Sequence, residues 1–515
     1  MYREIGKMKE WLRFTILENE YWWGGAVNCG YLMPIGKDSD CCIDLNGTPG
    51  SDQYAPLFVS SKGRYLWSER SFILRAQKGQ IVCEGEAEVV LEAGQGSLRG
   101  AYLAACAAHF PFSPRMPDKR FFSQPQYNTW IELATEQTSA AILRYARSIL
   151  AHGMPAGILM IDEGWQEDYG VFEFHRRKIP NPRVLIDKLH AMGFSVMLWV
   201  TPITSCDGPQ FLHRQRKGWL IRDRSGRIAL REWWNGTSAM LDLTNPEVVA
   251  WYHEQLRSLS ERYGVDGFKF DSGDAYFYRD DDLVFQPTSA REQTRLFNRI
   301  GERYPLNEFR AAWNFGGHPI VARLQDKNHS WENFGINALI PHTIVQGLLG
   351  YAYCCPDMVG GGCIDSFGEG RPLDEELFVR WAQANALMGM LQMSISPWRV
   401  LKKENAALVV EAMQLHTAMG ERIYALAQHA ARTGEPIVRH MAYEFPDEGL
   451  ETVQGQFMLG SELLAAPVIE KGASHKTVIL PKGRWQSWQG QCYDGGTELT
   501  LPVTLRDIPH FFRMG

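Results

Sequence analysis

Residues 264–274 read Gly-Val-Asp-Gly-Phe-Lys-Phe-Asp-Ser-Gly-Asp. The run Gly267–Phe270 is typical of a short buried strand, and Asp271 follows it directly, where Ser-Gly permits a sharp turn. Upstream, the apolar run 157–161 ends in the same way at Asp162. Helix-length amphipathic segments separate these strands, which predicts βα units around a parallel sheet. In a (β/α)8 barrel the carboxyl ends of the strands form the rim on which the active site is built.

The sequence pattern changes twice along the chain, and we predict three domains. Residues 1–122 contain short alternating or apolar runs broken by Gly, Pro, Asn and Asp, which is typical of an antiparallel β-sandwich. Residues 123–428 carry the alternating strands and helices of an α/β fold, a (β/α)8 TIM barrel. After a helix from Lys402 to Leu426, residues 429–515 return to strand-like runs, which predicts a C-terminal β-sandwich domain.

Composition narrows the classes of function. The 515 residues are 45% hydrophobic and 22% charged, as is usual for a folded globular chain. The net charge of −6 has the wrong sign for binding phosphate backbones, so we expect no nucleic-acid partner. Ten cysteines without a Cys-x-x-Cys spacing favour reduced thiols over a metal cluster, and no nucleotide fingerprint is present. We therefore expect neither a metal nor an organic cofactor.

The apolar runs and the first residues bear on the compartment. No apolar run approaches the roughly 20 residues needed to cross a bilayer, so we expect no membrane partner. Residues 1–10 interleave charges where a signal peptide would be apolar, which predicts a cytoplasmic protein. The oligomeric state stays open, a homo-oligomer included.

Carboxylates and indoles recur near the predicted rim. The segment Glu232-Trp-Trp-Asn-Gly236 places two indoles in a turn, which favours a ligand platform, and Trp165 closely follows Asp162. The glycine run 360–362 lacks the Lys-Ser/Thr of a phosphate loop, so close backbone approach to a polar ligand explains it better. Salt-bridged rim aspartates and core aromatics are the alternatives. The combination favours glycoside chemistry, which needs two carboxyl groups and a shaped pocket.

The stretch Gly264–Asp274 resembles glycoside hydrolase family 31, the retaining α-glycosidases. Upstream, Pro182–Val200 is similar to the family's segment before barrel strand three. Downstream, Gly434–Arg439 and Phe457–Val468 are similar to its C-terminal β-domain. Three separated matches in the right order are more specific than one motif.

The residues Lys-Phe-Asp at 269–271 and the segment 340–357 most resemble the branch of this family that contains the myogenesis-regulating glycosidase. By this resemblance Asp271 is the nucleophile and Asp326 is the general acid/base. We expect the substrate to be bound by a set of aromatic and charged side chains: Trp23, Asp162, Trp165, Trp199, Trp234, Lys269, Arg310, Trp331 and Asp357.

Two of these assignments depart from the family pattern or carry an alternative. Asp326 follows Leu-Gln where family members commonly have Trp-x-Gly, so its match rests on Arg310 before it and Trp331 after it. The segment Tyr21–Gly25, which includes Trp23, resembles the family's loop that reaches from the β-domain into the active site. A buried strand start is the alternative for that segment.

Other departures concern the sugar. Lys269 stands where many α-glucosidases carry an aromatic, Asp274 replaces the usual Glu, and Met393–Trp398 lacks the sugar-binding His of α-glucosidases. The resemblance thus implies a retaining, exo-acting α-glycosidase on a terminal α-linked hexose, with an α-galactoside as the preferred substrate. The alternatives are an α-glucosidase or α-xylosidase of the same mechanism, a sulfoquinovosidase in which Lys269 or Arg323 binds the sulfonate, and a catalytically silent carbohydrate-binding protein.

Overall fold

A computed structural model describes residues 9–46, 52–368, 370 and 372–514 of the chain. Residues 1–8, on which the expectation about a signal peptide partly rests, lie outside the described residues. The N-terminal domain is built mainly from antiparallel strands and ends in one helix. Its elements are β1 (Lys9–Thr15), β2 (Trp22–Ala26), β3 (Cys41–Asp44), β4 (Gln53–Ser60), β5 (Tyr65–Ser68), β6 (Phe72–Gln77), β7 (Gln80–Gly85), β8 (Val89–Glu92) and α1 (Leu98–His109).

The central domain alternates strands and helices. Its strands are β9 (Gln126–Asn128), β10 (Ile158–Ile161), β11 (Ser195–Val200), β12 (Ile203–Ser205), β13 (Leu230–Trp233), β14 (Gly236–Met240), β15 (Gly267–Phe270), β16 (Asn307–Phe309), β17 (Ala312–Trp313), β18 (Ala322–Arg323), β19 (Cys354–Cys355) and β20 (Gln392–Met393). Its helices are α2 (Arg120–Ser123), α3 (Trp130–Leu133), α4 (Ser139–Ala151), α5 (Pro182–Ala191), α6 (Pro209–Lys217), α7 (Pro246–Tyr263), α8 (Ala290–Gly301), α9 (Leu339–Leu348), α10 (Glu375–Ala386), α11 (Pro397–Val400) and α12 (Lys403–Thr433).

Eight of these strands form the predicted TIM barrel, in the order β19-β18-β16-β15-β11-β10-β9-β20. The ladders between neighbours in this order are parallel, and the barrel strands are buried, as expected for a sheet covered by helices. Beside the gap between β19 and β20, the Val359 N–H donates to the Gln392 carbonyl at 2.8 Å. The barrel fold is confirmed.

Capping residues explain where helix α7 of the barrel begins and ends. Helix α7 begins after Asn245, whose side chain accepts a hydrogen bond from the Glu247 N–H, and it ends at Gly264 in the left-handed conformation. The last helix of the domain, α12, runs to Thr433 and so passes through the predicted boundary at residue 428. The domain boundaries stay predictions.

The C-terminal domain is a β-domain, as predicted. Its elements are β21 (Val438–Arg439), α13 (Met441–Glu444), β22 (Phe457–Leu459), β23 (Leu463–Ala465), β24 (His475–Leu480), β25 (Arg484–Ser487), β26 (Cys492–Asp494), β27 (Thr497–Pro502) and β28 (His510–Met514). The six-stranded sheet β21-β22-β23-β28-β25-β26 and the hairpin β24-β27 are antiparallel where they pair.

The N-terminal domain has two sheets, and one of them includes β17, a strand of the central domain. The first sheet has the order β1-β7-β6-β3, and the second has the order β17-β4-β5-β8 with β2 beside β4. In the second, Ala312 and Trp313 pair in parallel with Gln53 and Tyr54. The N-terminal domain is therefore joined by backbone hydrogen bonds to the segment just after Arg310.

Two further expectations concern cysteines and membranes. All ten cysteines are free thiols, as predicted, although only four of them are buried. Among the described residues, no helix combines the length and the apolar character needed to cross a bilayer.

Candidate active site

Asp271 lies buried at the carboxyl end of β15, and protein donors bind both of its oxygens. Oδ1 accepts hydrogen bonds from Arg310 Nε at 2.9 Å and from the Ser272 N–H at 2.8 Å. Oδ2 accepts one from the Trp199 indole at 2.9 Å, and Lys269 Nζ lies 3.9 Å from it. Ser272 has a φ of 57°, a left-handed conformation that is rare outside glycine. A strained turn of this kind is typical of a functional site.

These surroundings keep Asp271 ionised. Burial favours the neutral acid, but the charges of Arg310 and Lys269 and the hydrogen bond from Trp199 outweigh it, so the pKa of Asp271 is held well below its ordinary value. An ionised carboxylate is the form that an attacking nucleophile requires. The geometry is thus suited to the role predicted for Asp271.

Lys269 in β15 and Asp162 at the end of β10 form a buried ion pair, and β11 lies between these two strands in the barrel. Lys269 Nζ lies 2.7 Å from Asp162 Oδ2, and Asp162 Oδ1 accepts the Glu163 N–H at 2.9 Å. Burial lowers the pKa of Lys269, but Asp162 and the other nearby carboxylates outweigh burial and hold it above its ordinary value. The ammonium group is therefore charged and has three donors, of which Asp162 takes one.

Arg310 connects the nucleophile candidate to a second carboxylate and to an indole. Its Nη2 lies 2.7 Å from Oδ2 of the fully buried Asp274, while its Nε binds Asp271. Burial, partly offset by Arg310, raises the pKa of Asp274 to about 6. The Arg310 guanidinium lies 5.3 Å from the centre of the Trp234 ring, in the range of a cation–π contact. Trp234 is 44% exposed, so one face of this predicted platform is open to a ligand.

Asp326 lies in the loop after β18, close to the fully buried Arg323. Arg323 Nη1 lies 2.9 Å from Asp326 Oδ1 and 3.0 Å from Asp357 Oδ1, and Nε lies 3.4 Å from Glu308 Oε1. Three carboxylates thus share one guanidinium. Asp326 keeps 36% of its side-chain surface exposed, whereas Asp357 and Glu308 keep at most 1%. Of the three, Asp326 has the most exposed side chain.

The Asp271 and Asp326 groups lie on the same rim. Burial lowers the pKa of Arg310, but Asp271, Asp274 and Asp326 together raise it, so both predicted catalytic carboxylates act on one guanidinium. The structure brings together the predicted residues Asp162, Trp199, Trp234, Lys269, Arg310, Asp271 and Asp326.

The glycine run after Asp357 is packed closely against the loop that carries Asp326. A Cβ on Gly362 would lie 2.5 Å from Asp326 Oδ1 and 2.8 Å from Asp357 Oδ1, and one on Gly361 would lie 2.5 Å from the Lys327 carbonyl oxygen. The glycines therefore permit close approach of the protein's own acidic loop. Backbone contact with a polar ligand stays a prediction.

Asp357, a predicted ligand of a sugar hydroxyl, is buried and bound by protein donors. Its Oδ2 accepts the N–H groups of Lys327 at 2.7 Å and Gly362 at 2.8 Å, and its Oδ1 accepts Arg323. These three protein donors connect Asp357 to the loop that carries Asp326. Its contact with a sugar hydroxyl stays a prediction.

Trp165 supports the neighbouring strand, and its predicted contact with substrate stays a prediction. It is fully buried, packs on Phe174 with ring centres 4.8 Å apart, and donates its indole N–H to the Trp199 carbonyl at 2.8 Å. It therefore fixes the strand end that carries Trp199. Trp331 donates its indole N–H to Asp374 at 3.0 Å and is half-buried, and its contact with substrate stays a prediction.

Trp23 corresponds to the alternative of a buried strand start. It is 2% exposed in β2 and packs on His440 of the C-terminal domain, with ring centres 4.9 Å apart. It lines a separate cavity of about 290 Å³ between the three domains. The N-terminal residues that reach the rim are instead Asp52, which accepts the Gln325 N–H at 2.7 Å, and Gln53, which donates to the Arg310 carbonyl at 2.6 Å.

Sequence reasoning missed three acidic or amide groups of this site. Glu163 accepts the indole N–H of Trp234 and the amide of Asn235, and Glu308 is buried inside the barrel against Arg323. The adjacency of Glu163 to Asp162, at the end of a predicted strand, was an available signal. Nothing in the sequence pattern indicated Glu308 or Gln53, because each acts through a partner that is distant in the chain. Among the described residues, no group of three His, Cys, Asp or Glu side chains is arranged as a metal site.

Two family models match the chain. Residues 122–426 match the TIM-barrel domain of glycosyl hydrolases family 31, and residues 434–515 match the C-terminal domain of that family. The chain belongs to glycoside hydrolase family 31. This membership, in a family of glycoside-hydrolysing enzymes, confirms the resemblance that the sequence motifs indicated.

Named relatives agree with this membership. The myogenesis-regulating glycosidase of Mus musculus is 32% identical over 411 residues, covering 78% of this chain and 57% of that protein. The α-xylosidase XylQ of Lactiplantibacillus pentosus is 26% identical, covering 74% of this chain and 53% of that protein. The chain thus spans about half the length of these relatives. A family 31 dextranase of Flavobacterium johnsoniae, solved with glucose, has the same fold, with a TM-score of 0.83, 20% identity, and coverage of 99% of this chain and 68% of that one.

Proposed function

We propose that the protein is a retaining, exo-acting α-glycosidase that hydrolyses a terminal α-linked hexose, with an α-galactoside as the preferred substrate. The observation that carries the proposal is the environment of Asp271. This buried carboxylate is kept ionised by Arg310, Lys269 and Trp199 on the same rim as the more exposed Asp326. Family membership supplies the reaction class, and the site supplies residues for both steps.

The proposed reaction is a double displacement. Asp271 attacks the anomeric carbon while the carboxylic acid of Asp326 gives its proton to the departing glycosidic oxygen. Water then attacks the glycosyl-enzyme, Asp326 takes a proton from that water, and the bond to Asp271 breaks. Two inversions give net retention. This mechanism requires the two carboxyl groups about 5 to 5.5 Å apart in the substrate complex, against about 6.5 to 9.5 Å for inversion.

We base the preference for an α-galactoside on the Lys269–Asp162 pair and on the branch of the family that the sequence resembles. The Lys269–Asp162 pair occupies the positions where an aromatic and a free carboxylate are expected in many α-glucosidases. Lys269 keeps hydrogen-bond donors for a sugar hydroxyl, whereas an aromatic side chain at this position would offer an apolar ring. The charged pair therefore favours a sugar whose hydroxyl is oriented differently from that of glucose. The similarity to the mouse glycosidase points to the same branch.

The α-xylosidase and α-glucosidase alternatives share the mechanism, and relatives bearing both names match the chain. The sulfoquinovosidase alternative loses support from the structure. Lys269 is paired with Asp162, and Arg323 is surrounded by three carboxylates, so the negative charge beside each cation opposes the binding of a sulfonate. The silent carbohydrate-binding alternative is tested by turnover.

The test is a panel of para-nitrophenyl α-galactoside, α-glucoside, α-xyloside and α-sulfoquinovoside, with Asp271→Asn as the inactive control. We expect the α-galactoside to give the highest kcat/KM. Proton NMR of the first-formed sugar distinguishes the stereochemistry, and we expect the α-anomer before mutarotation. Formation of the β-anomer would reject the double displacement. Absence of turnover on all four glycosides, at enzyme concentrations that would detect the slowest of them, would favour the binding protein.

A further inference from the structure

We infer that Glu163 is a positioning residue that fixes the Trp234 indole at the mouth of the pocket, and through it the binding of the terminal sugar. This inference rests on the proposed function and deepens it. It concerns a buried carboxylate that the proposed double displacement does not use. It also gives a role to the exposed hairpin that carries the predicted platform.

The geometry begins with the hairpin β13–β14, whose tip is Trp234-Asn235. The hairpin belongs to a separate three-stranded sheet, β12-β14-β13, rather than to the barrel. Both tip side chains reach back to the barrel rim and bind one atom. The Trp234 indole N–H and the Asn235 amide donate to Glu163 Oε2 at 2.9 and 3.0 Å. The hairpin tip is thereby attached to the loop after β10.

The attachment extends to the reacting centre in two steps. Trp234 lies over the Arg310 guanidinium at 5.3 Å, and Arg310 Nε binds Asp271 at 2.9 Å. Glu163 is only 4% exposed, and its other oxygen, Oε1, accepts no hydrogen bond from a described residue. Of the two carboxylate oxygens, Oε2 therefore binds the hairpin tip, and Oε1 has no hydrogen-bond donor among the described residues.

Protonation offers a signature that a purely structural contact would lack. Burial raises the pKa of Glu163 to about 7, and the charge of Asp162 acts in the same direction. The hydrogen bonds from Trp234 and Asn235 oppose this rise. Asp271 faces Glu163 from β15 and also raises this pKa, and the Tyr169 hydroxyl lies in the loop that follows Glu163. Above pH 7 the carboxylate is charged and is the stronger acceptor. The indole should therefore be held more firmly at pH 8 than at pH 6.

The first experiment compares Glu163→Ala, Glu163→Gln, Trp234→Ala and the double variant Glu163→Ala/Trp234→Ala on the best aryl α-glycoside of the panel. Loss of uniform substrate binding raises KM and spares kcat. We expect KM to rise about tenfold in Glu163→Ala, by analogy with one charge-assisted hydrogen bond, and to be largely rescued in Glu163→Gln. We expect the wild-type KM to fall from pH 6 to pH 8, and that of Glu163→Gln to fall less, with the remaining change due to Asp274, whose pKa is about 6 beside Arg310.

The double variant isolates the coupling. If Glu163 acts through Trp234, removing it from a chain that already lacks the indole has no further effect on KM. Equal effects of Glu163→Ala with and without Trp234 would overturn the inference, as would a fall in kcat at constant KM. Glu247→Ala is the matched control, because Glu247 accepts the Trp219 indole N–H at 3.2 Å on helix α7. We expect it to leave KM unchanged.

A second measurement does not depend on turnover, so it separates this inference from the proposed function. Hydrogen–deuterium exchange should be at least threefold faster in residues 230–240 of Glu163→Ala than in the wild type, with the barrel strands unchanged. Faster exchange throughout the barrel, or none in the hairpin, would reject the positioning role. If the wild type hydrolyses none of the four glycosides, the proposed function fails while this measurement still decides the role of Glu163.

Discussion

The indole of Trp199 donates its N–H to Oδ2 of Asp271 over 2.9 Å, from the strand next to the one that ends at the carboxylate. Trp199→Phe removes this donor and keeps most of the ring volume. Because the bond favours the charged form, we expect the pKa of Asp271 to rise and the acid limb of the kcat/KM profile to move to higher pH. A bond to a charged group contributes about 1.5 to 3 kcal/mol, so we expect kcat/KM to fall about ten- to a hundredfold.

The control for this variant is Trp485→Phe, which also removes a buried indole donor. Trp485 donates to the Pro481 carbonyl at 2.7 Å in the C-terminal domain. We expect a loss of thermal stability without movement of the acid limb. If both variants give the same pH profile, the Trp199 bond does not tune Asp271.

The two carboxylates are expected to differ in their response to the leaving group. Asp271→Asn should abolish turnover on every aryl glycoside. Asp326→Asn should lower kcat/KM about 10² to 10⁴-fold on a methyl glycoside, whose leaving oxygen needs a proton, and much less on a dinitrophenyl glycoside. Steady-state rates on the two substrates measure this. Equal losses on both would mean that Asp326 is not the acid.

The Lys269–Asp162 pair gives a prediction about stability. Lys269→Met leaves a buried carboxylate without its partner, which costs about 3 to 5 kcal/mol in the free energy of unfolding. Adding Asp162→Asn removes the stranded charge and should restore part of this loss. Urea denaturation of the three proteins is the measurement. As a control, Lys37→Met removes the exposed pair with Glu18, at 2.9 Å, and should cost less than about 1 kcal/mol. Equal costs for the two lysines would contradict the buried-pair argument.

Gly362 gives a prediction about the acidic loop. A Cβ there would lie 2.5 Å from Asp326 Oδ1, so Gly362→Ala must displace the Asp326 side chain. We expect kcat to fall at least about tenfold, in keeping with the strong dependence of general acid catalysis on position. Gly368→Ala is the control, because among the described residues its Cβ would meet only the Asp365 carbonyl oxygen, at 3.8 Å. An active Gly362→Ala enzyme with wild-type kcat would show that the loop tolerates the methyl group.

Much of the barrel could be predicted because its strands are continuous apolar runs that end in carboxylates. The run 267–270 and the cap at Asn245 are observed as expected. The helix Leu98–His109 was missed, since it lies among strand-like runs and its burial against the β-domain is a tertiary effect. The predicted helix from Lys402 continues to Thr433, where Gly434 ends it in the left-handed conformation.

The site was predictable where a residue type and its position both carry information. Asp271 and Asp162 follow strands, and their ends meet on one rim. The roles of the tryptophans were harder to predict, because both Trp165 and Trp234 lie near predicted rim carboxylates in the sequence. Trp165 is nevertheless buried, whereas Trp234 is exposed. Which indole faces a ligand depends on packing between distant segments, which the order of residues does not reveal.

The parallel pairing of Ala312–Trp313 with Gln53–Tyr54 has a consequence for how this molecule can be divided. Gln53 also donates to the backbone carbonyls of Arg310 and Arg323, at 2.6 and 2.9 Å. The backbone at both arginines, one after β16 and one in β18, is therefore held by a segment that lies outside the barrel. An excised barrel would keep its acidic residues but lose the backbone hydrogen bonds that position Arg310 and Arg323. We therefore expect that substitutions in the N-terminal domain can change turnover even where they alter no residue that contacts the sugar.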